Sequence, residues 1–202
     1  MTDDVRAHAL LDLWFGDALL DPAAARERNK TWFQATPSFD ELLRSRFVDL
    51  PNRLCAGEFA RWRSTPRTAL ARIVALDQIP RNVFRGTPAA FAFDALAQEA
   101  AIEAVERQFD RALHPMEAVF VYLPFEHAEN EELQQRSIEL FSALRKRSPA
   151  ALDDLFDSYV DYAQRHANVI TQFGRFPHRN ATLGRAETAA EAAYLAGGGQ
   201  RF

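Results

Sequence analysis

Four times in this chain a hydroxyl-bearing residue stands directly before proline: Thr36-Pro37, Thr65-Pro66, Thr87-Pro88 and Ser148-Pro149. The hydroxyl accepts a bond from an amide of the first helical turn, and proline fits the first helical position, where its missing N–H costs nothing. A chain punctuated this way is cut into helices. Thr188, followed three residues later by Glu191, adds a capping box for a last helix.

The apolar residues between these starts follow a helical period. Ala9, Leu10, Leu13 and Trp14 form one stripe in residues 5–15, and residues 23–32 suit a short second helix. Residues 131–147 gather Leu133, Leu140, Phe141 and Leu144, and residues 150–173 gather Leu152, Leu155, Phe156, Tyr159, Ile170 and Phe173. Residues 87–113 are apolar on more than one side, through Phe91, Ala95, Ile102, Val105 and Phe109. A helix of that kind is expected near the centre. Val119 to Tyr122 alone would suit a strand, but Pro115 and the flanking helical segments favour a short helix. No alternating valine and isoleucine runs call for a sheet. Antiparallel helical hairpins joined by short loops are the economical fold. No Gly/Ser linker or charge block divides residues 1–202, so a single all-helical domain is expected.

Composition narrows the function classes. Hydrophobic residues make up 48% of the chain, enough for a core, and the formal net charge is −4. That balance argues against nonspecific affinity for nucleic acid or anionic membranes. No apolar run reaches membrane-spanning length and the first residues lack a leader pattern, so a cytoplasmic protein is expected. Cys55 is alone, which excludes an internal disulfide or a cysteine zinc cluster. No cofactor is expected, and the spacing of His127, His166 and His178 is unlike that of a structural zinc site.

Four constellations carry possible chemistry. In residues 76–87, Asp77, Arg81, Asn82 and Arg85 surround Pro80, which should end or kink a helix. They suit either an interhelical clamp or a ligand-facing loop. In residues 123–130, Glu126, His127 and Glu129 suit a hydrogen-bonded helix start or an acid/base group, without the spacing of a zinc hydrolase. Tyr159, Tyr162 and His166 share a face of the long C-terminal helix, where His166 is either a satisfied core group or a proton carrier. Residues 173–185 collect Arg175, His178, Arg179, Asn180 and Arg185 around Pro177. Those arginines either bind an anion or latch the last helix to carboxylates elsewhere. The glycines lack P-loop spacing.

Together these stretches resemble the bacterial domain-of-unknown-function family 924. The resemblance rests on Leu13-Trp14-Phe15-Gly16, Trp32-Phe33, residues 76–87, Pro124-Phe125-Glu126-His127, and His166 followed by residues 173–185. Glu191 and Leu195 fit the family's ending, while Ala186-Glu187-Thr188 departs from it. The resemblance implies an all-helical, tetratricopeptide-like compact array and supplies no activity.

The functional expectation is a helical binding module for a small anionic molecule or an acidic peptide. Its pocket would be walled by Arg81, Arg85, Arg175 and Arg179, with Asp77 and Glu126 as counter-charges and Phe125 and Phe176 nearby. The alternative is an enzyme using His127, His178 or His166 in acid/base chemistry on a phosphate- or carboxylate-bearing substrate. Asp77 and Arg175 are expected to be coupled.

Overall fold

A computed structural model describes residues 3–202. The described residues form helices and no strand. In chain order these are α1 (Asp3–Phe15), α2 (Pro22–Phe33), α3 (Pro37–Phe47), α4 (Leu50–Cys55), α5 (Pro66–Ile73), α6 (Ile79–Val83), α7 (Asp94–Glu106), α8 (Pro115–Glu126), α9 (Glu131–Arg147), α10 (Asp153–Phe173) and α11 (Ala189–Ala196). They pack as a bundle of unequal helices, with α8 against α5, α7, α9 and α10. Among the described residues, no helix is long and apolar enough to cross a membrane.

The cap-proline starts work in different ways. Thr65 accepts from the Thr68 amide and completes a capping box, and Thr188 does the same with Glu191. Thr36 precedes α3 without a side-chain cap, its hydroxyl turned to the Gln34 carbonyl. Thr87 and Ser148 donate back to the Phe84 and Arg145 carbonyls, closing the turn before them. Only short 3-10 turns follow their prolines.

Two expectations change. Residues 87–113 do not make one central helix: a 3-10 turn at Pro88–Phe91 and another at Phe109–Ala112 flank α7. The face that α7 buries is Ala97, Ala100, Ala101 and Ala104, with Phe91 and Phe109 only partly covered. Alanine lets helices approach closely, so that face packs without showing a bulky stripe in the sequence. The central helix is α8, the segment with the strand-like run, in which every residue from Met116 to Glu126 is buried.

Pro80, expected to end or kink its helix, does not end it but distorts it. Residues 66–83 run on through a π turn at Val74–Gln78, where the Ile79 amide bonds the Val74 carbonyl five residues back. The wider turn accommodates a proline that has no N–H and would clash with the carbonyl four residues earlier. It leaves Asp77 and Gln78 buried on the inner side.

Phe120 sits at the hub of an aromatic core. Its ring centroid lies 4.7 Å from Trp32, 5.4 Å from Trp14 and 5.4 Å from Phe15, all edge-on. The Trp32 indole N–H donates to the Trp14 carbonyl at 2.9 Å, tying α2 to α1. Phe120→Ala is expected to destabilise the protein by about 3–5 kcal/mol in urea unfolding, because a fully buried ring leaves a cavity. Leu20→Ala, at a position 77% exposed, should fall within about 0.5 kcal/mol of the parent. Equal effects would show that Phe120 is not the hub.

Candidate active site

The site forms where the C-terminal end of α8 meets the π turn of the α5–α6 helix. Three features of α8 shape this end. Pro124 lies in its last turn, the Gln134 side chain donates to the Glu126 and Ala128 carbonyls at 2.6 and 2.8 Å, and Arg179 donates to the His127 carbonyl at 3.1 Å. A cation at this helix end complements its partial negative charge.

Asp77 is the fixed charge. It is 1% exposed, and its carboxylate accepts from Gln78 at 2.6 Å and from His127 Nδ1 at 2.8 Å, with Arg81 at 3.2 Å. Burial opposes its ionisation, yet Arg81 and His127 hold the carboxyl well below the usual range. Arg81 also makes a two-pronged pair with Asp94, at 2.7 and 3.0 Å. An ionised carboxylate only accepts, so His127 Nδ1 carries a proton toward Asp77. Burial and the Arg81 charge keep the ring's pKa below its ordinary value, so Nε2 is left as the basic nitrogen of a neutral imidazole.

Glu126 is the opposite case. Burial, and next the charge of Asp77, push its carboxyl up to about 8, so it holds a proton at neutral pH. It lies 3.3 Å from His166 Nδ1, which donates to the Tyr162 carbonyl at 2.8 Å. Burial drives His166 well below its ordinary pKa, and His178 is brought down to about 4 by burial and the neighbouring Arg179. One ionised and one protonated carboxyl, pushed apart in pKa beside two neutral imidazoles, is an acid/base arrangement.

Two cavities open from this cluster. One, of about 290 Å³, is lined by Arg81, Arg85, Arg179, Asn82, His127 and His178 among others, with no aspartate or glutamate in its wall. Asp94 and Asp40 stand behind the guanidiniums. The other, of about 370 Å³, has Phe33, Leu123, Phe141, Tyr159 and Tyr162 in its wall, with Glu126 and His166, and with Lys30 and Arg201 among its polar lining. His127, Phe33 and Phe202 line both. Arg179 lies between two rings, 4.4 Å from the Phe176 centroid and 4.8 Å from Phe91, and burial lowers its pKa to about 10.

The sequence-derived candidates divide into two groups. The structure brings Asp77, Arg81, Asn82, Arg85, Glu126, His127, His166, His178 and Arg179 to this cluster and its cavities. It does not bring Arg175, Asn180 or Arg185 to the cavity walls. Arg175 pairs with Glu191 at 2.6 Å, not with Asp77, and Arg185 grips Glu129 at 2.6 and 3.0 Å while Asn180 accepts from it. Those residues are the latch that fastens α11 and the 173–185 turn to the bundle. Phe125 is buried behind the site. Asp94, Gln78 and Phe33 were missed. Asp94 lies in a segment that offered no polar motif, and an aromatic wall is indistinguishable from core in a sequence. Among the described residues no group of three His, Cys, Asp or Glu side chains is arranged to hold a metal ion.

Comparison with known proteins places the chain. Residues 10–199 match a family described as bacterial protein of unknown function, DUF924. No curated protein matches. A solved structure of a protein of unknown function from Agrobacterium tumefaciens is 34% identical, with 95% of this chain and 97% of that chain aligned at a TM-score of 0.79.

Glu126 makes stability pH-dependent. Its folded pKa, about 8, lies above the ordinary 4.5, so between these values the folded state holds a proton that the unfolded chain has lost. Stability therefore falls as pH rises through that window, and the penalty is complete above about 8. Within the window, Glu126→Gln should gain on the parent by up to about tenfold in the unfolding constant per pH unit. His127 and His166, both depressed, act in the opposite direction around their ordinary value and are shared by both proteins. Urea unfolding of parent and variant from pH 5 to 8 checks this. Parallel profiles would show that Glu126 is ionised.

Proposed function

The chain belongs to the bacterial DUF924 family, and from the chemistry of its own cavity we propose that it binds a small anionic molecule between α6 and the 177–182 turn. One observation carries this reading: three guanidiniums and no aspartate or glutamate line the 290 Å³ cavity. Arg81 spends its terminal nitrogens on Asp94 and supplies field more than free donors. Arg85 is half-exposed at the mouth, and the Arg179 side chain makes one hydrogen bond among the described residues, to the His127 carbonyl. Those two have donors to spare for phosphate or carboxylate oxygens. The cavity's size favours a small molecule over an acidic peptide. The succession of α8, α9 and α10 is read as tetratricopeptide-like pairing that supports the floor of this site.

The Asp77–His127 pair favours a second reading, an enzyme acting on the bound anion. Asp77 orients the ring, Nε2 takes a proton from the substrate, Arg179 stabilises negative charge that develops, and a proton is returned to a part of the substrate that reaches the adjoining cavity, whose wall holds the protonated Glu126. Asp77→Asn would then abolish turnover while sparing ligand affinity.

Calorimetry with inorganic phosphate and with citrate tests the binding reading. Arg85→Ala and Arg179→Gln should each weaken binding about tenfold, the scale of a lost charge-assisted hydrogen bond. His127→Ala should stay within about twofold. Arg175→Ala should also leave affinity unchanged, since Glu191 holds that guanidinium outside the cavity. Binding that is absent, or indifferent to Arg85 and Arg179 in folded variants, would refute the reading.

A further inference from the structure

Phe202, one of the three residues that line both cavities, belongs to a short segment that follows α11. After α11, Gly198 takes a positive φ of 84° and the chain bends back. Gly199 lies so close to the Tyr194 ring that a Cβ there would sit 2.4 Å from it. The Gln200 amide donates to the Tyr194 hydroxyl at 2.8 Å. Beyond that point no hydrogen bond among the described residues holds Arg201 or Phe202. The bend carries the Phe202 ring over His166, stacked at 3.5 Å between centroids with 23° between planes. Its other ring neighbours are Phe176 and His178, both at 5.9 Å. Phe202 is thus held by stacking and apolar packing, on a neutral imidazole and against the Val169, Ile170 and Phe176 cluster, where the arginine-lined cavity meets the one walled by Phe33, Tyr159 and Tyr162.

This is the environment a protein offers to a flat apolar ligand group, filled here by a side chain of the same segment. Aromatic stacking of this sort contributes modestly, so one ring can exchange for another. We infer that the two cavities are halves of one site for an amphipathic anion, an aryl- or alkyl-substituted phosphate or carboxylate. Its apolar group takes the seat of Phe202 on His166 while its anionic group lies by Arg85 and Arg179. The inference rests on the anion reading above and extends it to the class of ligand. It also gives the His127 position a meaning. Lining both cavities, His127 stands where the anionic head of such a ligand joins its apolar body, at the bonds that acid/base chemistry would act on.

Calorimetry of the parent, Phe202→Ala and Phe202→Leu with inorganic phosphate, phenyl phosphate and 3-phenylpropyl phosphate tests this. Phe202→Ala opens the seat, so at least one of the two aryl phosphates should bind about fivefold tighter than to the parent, the scale of one displaced aromatic contact. Inorganic phosphate, which has no apolar group to seat, should gain less from Phe202→Ala than the aryl phosphates do. Phe202→Leu keeps an apolar plug without a flat face and should fall between. Unfolding midpoints within about 2 °C of the parent establish that the variants are intact. The proposal is overturned if inorganic phosphate binds but neither aryl phosphate binds better to Phe202→Ala than to the parent. If no phosphate binds any of the three proteins, the anion reading itself falls and this inference with it.

Discussion

An ionised carboxylate with almost no exposure to water is the constraint around which this structure is arranged. Asp77 is tolerable inside only because Arg81, His127 and Gln78 surround it with donors. Each of those requirements propagates. The π turn forced by Pro80 aims Asp77 inward, Arg81 one turn later must lie against it, and Asp94 is drawn in to complete the Arg81 pair. His127 has to end α8 at this spot, which fixes where the central helix stops. Burial, and next the same charge, raise Glu126 and keep its proton. Burial and this one charge together leave a basic nitrogen and a carboxylic acid at neighbouring positions at the end of α8.

Much of the fold was legible before any coordinates. Thr36-Pro37 and Thr65-Pro66 mark the starts of α3 and α5, and the periodic stripes mark the faces of α9 and α10. What escaped the sequence did so for physical reasons. The buried face of α7 is alanine, whose small side chain carries a weak hydrophobic signature. The strand-like valines and phenylalanines of α8 are buried on every side, and a helix with no polar face has no amphipathic period to read. Proline ordinarily breaks a helix, but here a π turn absorbs it, a solution set by tertiary packing around Asp77.

The candidate site was legible in part. Asp77, Arg81, Glu126, His127 and Arg179 stood out because charged residues beside proline and aromatic residues are costly to bury unpaired. The sequence did not distinguish arginines facing a cavity from arginines fastening a helix. Arg175 and Arg185 belong to the second kind, with Glu191 and Glu129 as their partners. That distinction depends on which carboxylate arrives from elsewhere in the chain. Phe202, which lines both cavities, has an apolar side chain and offers no chemical signal in the sequence. The related Agrobacterium tumefaciens structure, at 34% identity, shares the fold across nearly the whole chain and adds no activity to the reading.

Asp77 orients His127 so that Nε2 is left as the basic nitrogen of a ring that lines both cavities. Long-range proton–nitrogen NMR on histidine-labelled protein tests it most directly. The account predicts that at pH 7 the His127 ring is neutral, with its proton on Nδ1 and Nε2 unprotonated, and that Asp77→Asn removes this tautomer preference. A charged imidazolium at pH 7, or a proton resident on Nε2 in the parent protein, would contradict it.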